Sequence, residues 1–306
     1  MRRIALVVLS LLLVMCEEKI IYKHETDPPV FQRVPEVVEV RDTSVVISWK
    51  TDEPTKADLY YWFMEDSVLV QSEAEFRENH EILVRGLEPY TKYYYQVEII
   101  DFEDNGPVKS RIDSFRTCHN EFSCARVGWV FLKENRVDSV MYYVDMGFAF
   151  DSLSPDILAL LGWLRLKENS LAVAKNLFYK SLRQDNLFEP ALVGLSYLFL
   201  VSNDPDSSII LGEMTFADDA EWKYKYCPEI NYRVARVILA EAYYQKGDLG
   251  SAQRQVDFIW SESGLIPDDP TTWKLGQEEF SSYEEALLAV ILYLKDEVLM
   301  FINSKG

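Results

Sequence analysis

Three histidines (His24, His80 and His119) and four cysteines (Cys16, Cys118, Cys124 and Cys227) are the residues best suited to nucleophilic, acid–base or metal chemistry. Their placement argues against all three. No histidine follows His119, so the C-terminal half lacks the side chain most used as general base and metal ligand. The patterns Gly-x-Ser-x-Gly and His-Glu-x-x-His and the phosphate loop are also missing. Carboxylates are plentiful, but Asp218, Asp219 and Glu221, like Asp268 and Asp269, read as solvated charge runs, and no twelve-residue calcium loop appears. No catalytic residue, metal site or cofactor is assigned, and the chain is expected not to be an enzyme.

Cys118 and Cys124 lie six apart in CHNEFSC, a spacing that makes no zinc signature, and His119 between them lacks ligand-spaced partners. Two readings stand: a disulfide closing a short loop in an oxidising compartment, or a buried thiol at Cys124 on an apolar helix face. Cys227 is expected to be buried and unreactive. Cys16 differs from these. Arg2 and Arg3 precede an apolar run, Ile4 to Met15, too short to span a bilayer, which needs about 20 residues. A charged start and a short apolar stretch form the pattern of an export signal. Ending in Leu-Val-Met-Cys, it resembles a bacterial lipoprotein signal, which implies lipid on Cys16, export, and membrane anchoring in the cell envelope. Met15 departs from that pattern, since a small residue is usual before the cysteine.

The elements that would position anything further fall into two groups. Residues 24–117 carry ten Lys and Arg against twenty Asp and Glu, and residues 118–306 carry 17 against 28. Both halves are acidic, which disfavours nucleic acid as a partner. Hydrophobic content of 48% is too high for disorder despite the net charge of −19. Five short runs rich in β-branched and aromatic residues, Val37–Val40, Ser44–Trp49, Ala57–Trp62, His80–Val84 and Tyr93–Ile99, alternate with turn signals such as Thr51-Asp52-Glu53-Pro54. The spacing predicts about seven strands and a two-sheet sandwich. The segment Pro28 to Thr117 resembles a fibronectin type III domain, in the alternation Val45, Ile47, Trp49, in GLEPYTKYYYQV from Gly86 to Val97, and in the closing SFRT. The resemblance implies that Trp49 is a core residue and that Tyr93 returns its hydroxyl to upstream backbone. A related domain precedes the catalytic domain of purple acid phosphatases, but the metal ligands such an enzyme needs downstream are absent from this sequence.

Beyond Cys124 the apolar period changes from two to between three and four, as in helices with one buried stripe. GWVFLKEN at Gly128 returns as GWLRLKEN at Gly162 and, more weakly, as SYLFLVSN at Ser196, each after 34 residues. This register resembles the tetratricopeptide repeat, a helix–turn–helix unit. Gly128, Gly162, Ser196 and Ala240 hold a small residue where helices cross, and Asn135, Asn169, Asn203 and Gly247 suit the left-handed turn after a first helix. The fourth unit, Ile238 to Ile259, follows an insert within Glu213 to Tyr232 that reads either as packing or as a binding element. Tyr283 to Ile302 reads as a capping helix.

By that resemblance, Trp129, Trp163, Tyr197 and Glu241 face the concave groove, with Leu132, Leu166, Leu200 and Tyr244 behind them. So apolar a ladder needs cover, either from the chain itself or from an apolar peptide or amphipathic helix. The resulting expectation is a multidomain chain. It comprises a signal over 1–16, a tether over 17–27, an all-β fibronectin III-like sandwich over 28–117, an all-α tetratricopeptide-like array over 118–266, and a capping region over 267–306. Its expected work is non-catalytic protein binding as an envelope scaffold or adaptor, with surface adhesion or glycan binding through the sandwich as the alternative.

Overall fold

The computed structural model describes residues 26–299. Cys16, the signal, the tether up to residue 25 and the end of the capping region lie outside them. Among the described residues no helix is long and apolar enough to cross a membrane. The chain divides into two units.

The first unit is built on six strands: β1 (Phe31–Val40), β2 (Ser44–Trp62), β3 (Leu69–Arg85), β4 (Lys92–Ile100), β5 (Val108–Lys109) and β6 (Asp113–Arg116). The expected count of seven is corrected because the runs Ser44–Trp49 and Ala57–Trp62 belong to one strand. The Thr51–Pro54 signal marks a change of partner rather than a reversal. Before it β2 pairs antiparallel with β1, with Val45 opposite Val40, and after it with β4, with Leu59 opposite Val97. Pro54 sits at the changeover, where a missing ladder donor costs least. Period-two alternation then buries Val45, Ile47, Trp49, Leu59, Tyr93, Tyr95, Val97 and Ile99 in one core. Trp49 is core as expected. Tyr95 donates its hydroxyl to the upstream Pro35 carbonyl at 3.3 Å. Tyr93 is buried against Phe115, with ring centroids 5.6 Å apart.

The second unit takes in 41–44, 85–91 and everything from Arg116 onward. Eight of its helices form four sequential pairs: α1 (Glu121–Lys133) with α2 (Val137–Phe150), α3 (Pro155–Lys167) with α4 (Leu171–Gln184), α5 (Glu189–Val201) with α6 (Pro205–Met214), and α7 (Tyr232–Gln245) with α8 (Leu249–Ile259). A two-residue-strand hairpin, β7 (Lys274–Leu275) and β8 (Glu278–Glu279), precedes α9 (Tyr283–Val298). Each pair closes on the same turn. Asn135, Asn169, Asn203 and Gly247 have φ of 57°, 58°, 60° and 80°. In all four the following N–H reaches back six residues inclusive: Arg136 to the Phe131 carbonyl, Ser170 to Arg165, Asp204 to Phe199 and Asp248 to Tyr243, at 2.8–3.0 Å. This is the Schellman closure, which satisfies carbonyls that the ended helix leaves open.

The crossing positions also have a steric cause. A Cβ on Gly162 would stand 2.6 Å from Phe178 of α4, and one on Gly194 would stand 2.4 Å from the same ring. Phe178 is thus wedged between α3 and α5 and is fully buried. At Gly128 the nearest atom is on Leu160 of α3, 2.4 Å away, so there the small residue admits the next pair as well as its own. Ser196 uses its hydroxyl, which donates to the Ser208 carbonyl at 2.8 Å. Gly162→Ala is therefore expected to lower unfolding free energy by about 1–3 kcal/mol through overpacking, read in urea titration. Combining it with Phe178→Leu should cost less than the two single changes summed.

Candidate functional site

The ladder read as a groove is the natural candidate site, and its side chains can be followed one by one. Trp129 and Trp163 are fully buried, and Leu132, Leu166 and Leu200 nearly so, while Tyr197 and Tyr244 are half-buried. Of the two covers the sequence allowed, the chain's own is the one present for Trp129, Trp163, Leu132, Leu166 and Leu200, so these side chains line no open groove.

Part of the cover comes from the insert between α6 and α7. Its backbone folds tightly, with Tyr224 N–H donating to the Ile230 carbonyl at 3.0 Å and Tyr232 N–H to the Trp222 carbonyl at 3.0 Å. This turns Trp222, Tyr224, Cys227 and Ile230 into the same core as Trp129 and Trp163. The Tyr224 ring meets Trp129 edge-on at 5.4 Å and Phe188 at 5.7 Å. Its hydroxyl donates to Asp156 Oδ1 at 2.6 Å, in the first turn of α3. Trp163 donates its indole N–H to the Pro190 carbonyl at 2.9 Å. At the rim Lys133 pairs with Glu229 at 2.6 Å. In the fourth pair the equivalent residue, Glu241, meets Lys295 of α9 at 2.6 Å, and α9 buries Leu287, Val290 and Ile291 against α7 and α8. Thus α9 packs on the fourth pair, and the insert contributes side chains to the core.

Burial also shifts the titratable groups of this interior. Burial raises the pKa of Asp156, although the Tyr224 bond and Lys225 oppose the shift. Tyr224 is raised well above the usual phenol range, first by burial and then by Asp156. Burial raises Glu189 too, reinforced by Asp185, Asp218 and Asp219.

The cysteines answer the earlier question. No disulfide joins Cys118 to Cys124. Asn120 caps α1, accepting from Ser123 N–H at 3.0 Å, and the helix that starts there turns Cys124 into the core while Cys118 stays exposed ahead of the cap. Burial pushes the Cys124 thiol to about 11 and, with Glu229 assisting, the Cys227 thiol to about 12. Neither is a reactive thiolate at neutral pH. Among the described residues no group of three or more His, Cys, Asp or Glu is placed to hold a metal ion. His80, unremarked as a polar core residue in the sequence, is fully buried in the first unit. It stacks on Trp49 at 4.9 Å, with Nδ1 2.7 Å from Glu73 Oε2 and Nε2 3.0 Å from Thr55 Oγ1.

Residues 32–117 match the family model of the purple acid phosphatase N-terminal domain. Among curated proteins none matches the chain. Solved structures similar to it include the sensor domain of an anti-sigma factor from Pseudobacteroides cellulosolvens, 20% identical, covering 31% of this chain and 98% of that one with a TM-score of 0.24. The fibronectin type III domain of a human fibronectin type III domain containing protein is 19% identical, covering 32% and 92% with a TM-score of 0.25. The chain thus has an N-terminal β domain with fibronectin III-like neighbours, followed by a helical region.

Two outcomes follow from a filled interior. Trp129→Ala should cost about 3–5 kcal/mol of unfolding free energy, as truncation of a buried aromatic does, and lower the melting temperature accordingly. For Asp156 the folded pKa lies above the unfolded value of about 3.9, so the stability it contributes is complete below that value and is lost as pH rises through the folded pKa. Asp156→Asn keeps an acceptor for Tyr224 without the charge. The difference in unfolding free energy, wild type minus variant, should therefore move in favour of wild type as pH falls from 7 toward 4.

Proposed function

We propose that this chain is a non-catalytic interaction scaffold of the cell envelope, held to a membrane by lipid on Cys16, with a fibronectin III-like domain preceding tetratricopeptide-like helix pairs. The observation that carries the reading is the fourfold recurrence of one turn, left-handed at Asn135, Asn169, Asn203 and Gly247. A chain that repeats a turn and a crossing residue builds surface by addition, as repeat proteins made for recognition do. The anchor rests on the sequence around Cys16. The purple acid phosphatase match concerns residues 32–117, and the sequence beyond them supplies a single histidine, His119.

Because the concave ladder is internal, the recognition surface is assigned to the outward second helices. There Tyr142, Val173, Tyr179 and Ile210 are 59%, 50%, 40% and 63% exposed. Partners on such a face would be held by apolar anchors within a polar rim.

The test is capture of the full chain from its own solubilised membranes. A stoichiometric protein partner should co-purify with wild type and be lost with Tyr142→Glu or Ile210→Glu, whose melting temperatures should stay near wild type. Cys16→Ser should shift the protein from the membrane to the soluble fraction. Capture of no protein, or loss of binding only in variants that also unfold, would defeat the scaffold reading; continued membrane attachment of Cys16→Ser would defeat the anchor.

A further inference from the structure

The guanidinium of Arg236, on α7, lies over two rings at once. Its central carbon is 3.8 Å from the centroid of Phe216, which follows α6, and 4.2 Å from that of Phe258 on α8. Rings so placed occupy the faces of the planar group and leave its edges for hydrogen bonds. One nitrogen is used, because Nη1 donates to Gln255 Oε1 at 2.8 Å. On the other edge Nε is buried without an acceptor, and Nη2 beside it makes no hydrogen bond among the described residues.

A buried donor left unmet costs stability, and neutral Gln255 does not balance the charge. Acids are not scarce, since the chain holds 50 Asp and Glu against 31 Lys and Arg. Yet among the described residues none forms an ion pair with Arg236. Glu213 acts on it only as a nearby charge, and gives Oε1 to the Tyr243 hydroxyl at 3.2 Å. Burial holds the Arg236 pKa below the usual guanidinium value, with Glu213 opposing the shift. The site reaches the surface, because Phe258 is 51% exposed on the fourth of the second helices.

We infer that the Nε–Nη2 edge of Arg236 receives the carboxylate of an acidic side chain, aspartate or glutamate, from a partner protein. Two parallel N–H donors match the two carboxylate oxygens, and the flanking rings fix the plane in which they meet. Nε is covered in the free protein, so seating the carboxylate moves a neighbour, and half-exposed Phe258 has room to move. The net charge of −19 repels anions at a distance, so the acid must arrive on an otherwise neutral or basic segment. The site rests on the scaffold reading for its partner, and names the chemistry of that partner.

The test uses the full chain labelled with nitrogen-15, its Arg236 Nε–H signal being the one that disappears in Arg236→Lys. It is titrated with Nα-acetyl-glutamate methylamide, with the neutral Nα-acetyl-glutamine methylamide, and with inorganic phosphate. The glutamate probe should move the Nε–H signal saturably, together with the Phe258 backbone amide, and the glutamine probe should move neither. Followed at the Phe258 amide, Arg236→Lys should weaken the glutamate probe about tenfold, since lysine keeps the charge but loses a hydrogen bond of the fork. The wild-type titration decides the matter alone if that variant folds poorly. No saturable shift, equal response to glutamine, or tighter binding of phosphate would overturn the site. So would slow hydrogen exchange at Nε in the free protein that Glu213→Gln abolishes, because the acceptor would then be Glu213. A saturable glutamate response with no co-purifying protein would instead overturn the scaffold reading and leave the preference of Arg236 standing. A captured partner with a silent Arg236 would do the reverse.

Discussion

The helical unit depends on one contact above all, the seating of Tyr224 between Trp129 and Phe188 with its hydroxyl on Asp156. A buried aromatic removes 150–250 Å² from water, worth roughly 4–6 kcal/mol at the usual coefficient and somewhat less against a compact unfolded state. Two tryptophans and several leucines on one face would be a large liability if left wet. The insert removes it by supplying four inward residues from a loop that closes its own backbone bonds. The Tyr224 phenol does not undo that gain, because it meets a carboxylate already placed in the first turn of α3. Asp156 stays costly to ionise there, yet its bond fixes where the insert sits.

Cover of this kind works only if the helices beneath it present a continuous face, and that continuity comes from the turns. Four Schellman closures at the same place in each pair give the same path from first helix to second. Small residues at the crossings let neighbouring pairs approach, with Phe178 filling the space made by Gly162 and Gly194 together. The two constraints cooperate: a bulkier crossing residue would splay the pairs, and a turn unable to adopt positive φ would misdirect the next helix. Trp129 and Trp163 would then no longer lie under the same lid.

What the sequence disclosed follows the range of the interaction concerned. Turn and crossing positions are local and can be read directly: Asn135, Asn169 and Asn203 recur every 34 residues, and Gly247 follows after 44. The alternation of Tyr93, Tyr95, Val97 and Ile99 is equally local and correctly marks the buried face of β4. The cover of the ladder depends on Tyr224 meeting Asp156, 68 residues away, and no period encodes that. The insert was visible as an interruption, but its direction was not. The break expected at Thr51–Pro54 failed for a related reason. Turn-forming residues signal that the ladder is interrupted, and a strand that changes partners interrupts it as surely as a reversal does. Cys118 and Cys124 were near in sequence but were separated by a helix cap at Asn120, whose capping box outweighs spacing in deciding where a side chain points.

A buried ladder also changes where specificity could reside. In an open array the same side chains serve stability and binding, so affinity can be altered only at the expense of the fold. Here the ladder is committed to the fold, and the outward positions on α2, α4 and α6 make no comparable contribution to the core. In the first unit, too, a polar side chain is taken into the core: His80 is paired on both ring nitrogens, to Glu73 and Thr55, and stacks on Trp49.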